Sequence, residues 1–169
     1  VAGTLVLLLA FNFQESPSLF MIASLLLGMT MLYVSYLMLG ALIRVKYHTS
    51  SSKGMLAALL SLTLLVVFAL YLSSSFGGLI DGDFYLVIKE AHYSMGLFGW
   101  ITLLIMAISF QVIEMFYVTP PYPRIISQYM PVGIVLLLIF FTLFALINPN
   151  IWLVKDIVIS LMLCIYALV

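Results

Sequence analysis

The chain has 169 residues, of which 66% are hydrophobic and 7% charged, and its six basic and six acidic residues cancel to a net charge of zero. Soluble domains carry about 25% charged residues, and a soluble fold of this length lacks the interior to hide so much apolar surface. The composition therefore excludes an ordinary soluble enzyme or binding domain and predicts an all-α, multi-pass transmembrane helical bundle forming a single domain. A membrane barrel would show alternating segments of about ten residues, and no such alternation occurs.

Four stretches lack Asp, Glu, Lys and Arg altogether: Ser18–Ile43, Gly54–Ile80, Ala91–Ile113 and Ile125–Val154. Each exceeds the roughly 20 residues that a helix needs to cross about 30 Å of hydrocarbon. In chain order, six spans are expected, at about 1–13, 18–43, 55–76, 91–118, 130–147 and 151–169. The first is short and lacks the basic leader and small-residue cleavage site of a signal peptide. Val1 and Val169 both lie in apolar sequence, so the chain is expected to be part of a longer protein.

The QESPS stretch at 14–18 separates the first two spans, and the NPN triplet at 148–150 marks a tight turn between the last two. On the second span, Ser24, Gly28 and Ser35 make a small-residue stripe suited to helix contact. On the third, Ser61 and Thr63 can bond their own backbone. The 119–123 sequence TPPYP reads as a stiff, polyproline-like connector. The segment from Ser73 to Phe84 reads as a flexible loop, and Asp81 and Asp83 lack the further ligand positions of a calcium loop. No internal repeat, nucleotide-binding loop, zinc-spaced Cys/His set or nucleophile motif occurs. Cys164 stands alone, which excludes an intrachain disulfide. The ten methionines are scattered and read as gap-fillers.

Short-loop charges set an expected orientation. Arg44, Lys46, Lys53 and Arg124 fall on one side, and Lys89 and Lys155 on the other. The excess of basic residues marks the cytoplasmic side, so the N-terminus of the segment is expected there, in a bacterial inner membrane. Lys155 is expected to snorkel to the surface and Asp156 to be solvated beside it. Were the sixth span to begin earlier, the pair would be buried and functional.

The fourth span carries most of the chemistry. Steps of three and four place His92, Gly96, Gly99, Leu103, Ala107, Phe110 and Glu114 on one helix face. At 1.5 Å per residue, His92 and Glu114 stand about 33 Å apart, at opposite margins of the bilayer. They cannot act as a pair. The glycines suit close approach of another helix or of a flat ligand. Trp100 sits too deep for the interfacial belt and suggests protein contact. Glu114 with Gln111 is a candidate proton or cation site, although a carboxylate so near the interface could also be solvated or paired with Arg124. His92 has three readings: an interfacial hydrogen-bonding residue, a proton-handling residue, or an axial metal ligand.

The string AHYSMGLFGWITLLIMAISFQVIEMF, residues 91–116, resembles a helix of the haem–copper oxidase catalytic-subunit superfamily, including its small oxidase-like and nitric-oxide-response-type membrane relatives. The resemblance implies that His92 is an axial ligand to a haem b, with Gly96 and Gly99 making room for the macrocycle. It covers 26 residues of 169. A low-spin haem takes a second axial ligand, yet the only other histidine, His48, lies in the opposite loop. A copper site would take three more histidines, and Glu114 stands where relatives often carry proline. The resemblance therefore implies either a haem-b-binding redox or assembly component or a descendant without cofactor. Two other functions compete with it. One is a small proton-coupled transporter using Glu114, Gln111 and Asp156. The other is a structural subunit of a larger membrane complex. The expected partners are the lipid bilayer and other membrane subunits or further copies of the chain, with no nucleic acid.

Overall fold

The computed structural model describes residues 1–13, 17–78, 80–148 and 151–168. These form helices α1 (Ala2–Asn12), α2 (Pro17–Ile43), α3 (Ser50–Phe76), α4 (Tyr85–Ser94), α5 (Thr102–Tyr117), α6 (Met130–Ala145) and α7 (Trp152–Ala167). Two π-helical segments, π1 (Met95–Ile101) and π2 (Ile125–Tyr129), run directly into α5 and α6. No strand occurs among the described residues. The fold is all-α, and its apolar helices mark a membrane protein.

Six spans were expected, but four helical rods are long and apolar enough to cross a bilayer: Pro17–Ile43, Ser50–Phe76, Tyr85–Tyr117 and Ile125–Ala145. Helix α1 has 11 residues and α7 has 16, which fall short of the roughly 20 that a span requires. The fourth span also differs from expectation. It starts at Tyr85 and takes Lys89 and Glu90 into the helix, making one rod of 33 residues. Most of the expected QESPS break and the Pro149–Asn150 part of the NPN turn lie outside the described residues.

Local chemistry accounts for the ends. The Thr49 side chain caps α3 by accepting from Ser52 N–H at 3.2 Å, which satisfies one of the four donors left free at a helix start. The long rod ends where Val118 takes the left-handed conformation at φ 51°, a costly one for a β-branched residue. The prolines of 120–123 then forbid further helix. Glu114 holds this exit in place, since its Oε1 accepts from Tyr122 N–H at 3.1 Å.

Helix α3 is the hub, and small residues let its neighbours close on it. A Cβ on Gly28 of α2 would come within 2.9 Å of Leu70, and one on Gly54 of α3 within 2.8 Å of Ala107 on α5. Lipid supplies no hydrophobic drive between helices, so such close backbone contact carries the association. The stripe on α2 acts in this way: Gly28 and Ser35 are buried and Ser24 is half-buried. The central core brings together Met95, Leu103, Met106, Ile134, Leu138 and Ile159 from the long rod, α6 and α7.

Candidate functional site

The His92–Gly96–Gly99 face lies against α3. His92 Nδ1 stands 3.0 Å from the carbonyl oxygen of Leu65, and because a carbonyl only accepts, Nδ1 is the donor. A Cβ on Gly96 would meet Leu65 at 3.3 Å, and one on Gly99 would meet Ser61 at 2.7 Å and Leu138 at 3.4 Å. The space that a macrocycle would need beside these glycines is filled by α3 and α6. His48, the other histidine, lies just before the start of α3 at Ser50, whereas Leu65 lies midway along that helix. Among the described residues, no group of three or more His, Cys, Asp or Glu could hold a metal ion. This packing does not fit a haem on His92. The glycines serve a helix–helix contact.

A different constellation emerges on α7. Its inward stripe is Lys155, Ile159, Met162 and Tyr166, at spacings of four, three and four that keep one helix face. Lys155 is 1% exposed, making it the largest fully buried side chain among the described residues. Its ammonium donates to the Ser94 hydroxyl on the long rod and pairs with Asp156 Oδ1 at 3.0 Å. It also lies 4.8 Å from the Trp152 ring centre and 5.9 Å from that of Phe98, within the range of cation–π attraction. The expected snorkelling does not occur, because the ammonium points into the bundle and finds partners there. Asp156, at 53% side-chain exposure, is the outward member of the pair.

Ser94 is the last residue before π1. There the backbone widens, and Thr102 Oγ1 donates at 2.8 Å to Leu97, five residues back. Single π turns are rare and concentrate at functional sites. This one lies where α3, α6 and α7 all meet the long rod. Nothing in an α-period reading of the sequence marks it.

At the other end of the seam, the Tyr166 hydroxyl bonds the Ser109 hydroxyl of α5. The Tyr166 ring stacks on Tyr122, and Phe110 packs edge-on against both. The Tyr122 phenol is held above its usual range, first by burial, then by its interaction with Tyr166 and by the nearby Glu114 charge. The Lys155–Ser94 and Tyr166–Ser109 contacts therefore run α7 parallel to the long rod. Between them lies a dry segment, with Leu103, Met106, Ile134 and Ile159 each no more than 1% exposed.

Glu114 opens onto a cleft of about 710 Å³ lined by Gln111, Gln128, His48, Ser50 and Ser51, with Thr49, Phe110 and Met115 completing the wall. Lys53 Nζ donates to Gln128 Oε1 at 3.3 Å, and His48 Nδ1 lies 3.4 Å from Ser52 Oγ. Glu114 and Gln111 are thus brought together, as their spacing suggested. Asp156 is not with them, since it belongs to the Lys155 end of the seam. Ser94, Ser51 and Gln128 went unrecognised as site residues in the sequence, Lys155 entered only on condition of an earlier sixth span, and His48 only as the other histidine in the search for a haem ligand. The small pair Gly54 and Ala107, which docks α3 on α5, was the available signal for the cleft. No protein-family model matches the chain, and comparison with curated proteins and with solved structures finds no significant match.

Proposed function

We propose that this chain is an integral membrane proton-coupled carrier of the bacterial inner membrane, with its N-terminal end cytoplasmic and its working groups along the seam between the long rod and α7. The observation that carries the reading is Lys155, an ionisable residue withdrawn from the surface of a membrane bundle. Such residues are expensive in a bilayer and characteristically mark ion and proton pathways.

The arrangement supports the reading in three respects. A proton passing from the Lys155 ammonium to the Asp156 carboxylate breaks one N–H bond, makes one O–H bond and leaves both groups neutral. Asp156, half-exposed, can exchange that proton outside the bundle. At the far end, Tyr166, Tyr122 and Glu114 provide polar groups leading to the open cleft. The apolar plug of Leu103, Met106, Ile134 and Ile159 lies between, so the two ends do not form a continuous wet leak. Coupled transfer then requires α7 to shift on the rod, an exchange between two packed arrangements. This uses Glu114, Gln111 and Asp156 in the roles expected of a transporter and adds Lys155 as the central group.

Reconstitution tests it. Proteoliposomes loaded with a pH-sensitive dye and given a potassium diffusion potential should show protein-dependent acidification. Glu114→Gln should reduce that flux at least tenfold while the protein stays folded. Flux in Glu114→Gln equal to that of the parent would remove the carboxylate from the path.

A further inference from the structure

A groove of about 290 Å³ runs between α3 and α6, on a side of the bundle away from the α7 seam. On α3 its lining begins at Lys53 and continues through Leu56, Ala57 and Leu60. On α6 it runs from Val132 to Ile139 with the same spacing, which keeps each stripe on one helix face. Ala57 and Val135 are buried and make the floor, while Leu60, Val132 and Leu136 are exposed and make the rims. Lys53 is the one polar residue among those lining it.

That lysine stands at the head of the groove. Its Nζ donates at 3.3 Å to Gln128 Oε1, in the π2 turn that leads into α6. Both helices therefore start at this margin and run the same way. From Lys53 to Leu60 the apolar lining extends about 10 Å along the helix. Lys53 is half-buried and has no carboxylate partner among the described residues, unlike Lys155 with its Asp156. An ammonium has three N–H donors, and Gln128 is the one side-chain acceptor that Lys53 has among the described residues. The same margin carries Arg44, Lys46 and Arg124 and a single carboxylate, Glu114. Charge there is thus in excess, and the Lys53 ammonium stands with donors to spare above a wholly apolar channel.

We infer that this groove binds an anionic phospholipid, with one acyl chain lying along the α3–α6 floor and the phosphate on Lys53. The two halves of the site match the two halves of such a lipid. Hydrocarbon chains fill an apolar groove inside a bilayer, and basic pockets between spanning helices hold anionic headgroups at the membrane margin. A zwitterionic lipid offers the same chain but brings its own cation, so it leaves the excess positive charge unanswered. Gln128 holds the lysine over the groove and acts as a positioning residue. The site is independent of proton transfer, and its occupancy can be read without any flux.

Native mass spectrometry of the full chain from micelles, offered equal amounts of phosphatidylglycerol and phosphatidylcholine with identical chains, tests it. The parent should retain phosphatidylglycerol about fivefold over phosphatidylcholine, the effect of one basic residue at an anionic headgroup. Lys53→Gln should remove the preference, and Lys53→Arg should keep it. Lys89→Gln, which removes a cation at the opposite end of the bundle, should leave it intact. Ala57→Leu, which fills the floor, should lower retention of both lipids, with circular dichroism confirming the fold of every variant. Equal retention of the two lipids by the parent would overturn the proposal. A preference that survives Lys53→Gln, or that falls equally in Lys89→Gln, would overturn it as well.

Discussion

Lys155 on α7 and Ser94 on the long rod meet across the bundle, the ammonium donating to the hydroxyl at the residue where the α-helix becomes a π-helix. The contact ties a short helix to a spanning one through a single buried charge. Burial of an ion pair gains little stability over an apolar pair of the same shape, whereas a void is expensive. Lys155→Met, which fills the space without charge, should therefore unfold within about 1 kcal/mol of the parent. Lys155→Ala, which leaves a void, should lose about 2–4 kcal/mol. Thermal unfolding of the purified protein in micelles checks this. Equal losses in both variants would mean that the ammonium itself holds the helices together.

Gly99 faces Ser61 with no space for a side chain, since a Cβ there would stand 2.7 Å from both Ser61 Cβ and Oγ. Gly99→Ala should cost about 1–3 kcal/mol through overpacking. Ser61→Gly in the same chain should recover most of that loss, because the two positions share one contact. A double-mutant cycle showing simple additivity would contradict the contact.

Tyr122 holds its proton more tightly in the folded protein than in the unfolded chain, chiefly because it is buried. The sign follows from linkage: between the ordinary phenol value of about 10 and the raised folded value, the unfolded chain carries fewer protons, so stability falls as pH rises. Below pH of about 10 the contribution is fully present. Ultraviolet phenolate titration of the parent and of Tyr122→Phe should show the variant lacking a late-titrating tyrosine. Its stability should also decline less steeply in that alkaline window.

His92 spends Nδ1 on the Leu65 carbonyl, and its glycine neighbours are covered by α3 and α6. His92→Gln, which keeps an N–H donor, should retain the fold. His92→Ala should lose about 1 kcal/mol or somewhat more. Protein purified from cells supplied with haem should show no Soret band that depends on His92. A band abolished by His92→Ala would contradict this packing and restore the haem reading.

The membrane class was legible because charge-free stretches longer than a bilayer is thick have few other uses. Span ends were less so. Lys89 and Glu90 looked like loop residues, yet the rod runs through them, as a helix emerging from the bilayer can. Helices α1 and α7 are apolar but short, and apolarity alone does not report length. The face from His92 to Glu114 was readable by its period, and Gly96, Gly99 and Ala107 do lie on it against α3 or α6. Lys155 was misread because snorkelling and burial look alike in one helix. The difference is set by Ser94, 61 residues away. The cleft joins the start of α3 to the end of α5, a union that exists only once Gly54 meets Ala107.

The central claim is that the buried amine of Lys155 carries protons. Proton flux into proteoliposomes containing Lys155→Met, whose folding is verified by its unfolding transition, tests it most directly. At least a tenfold fall relative to the parent is predicted. Flux equal to that of the parent would contradict the claim.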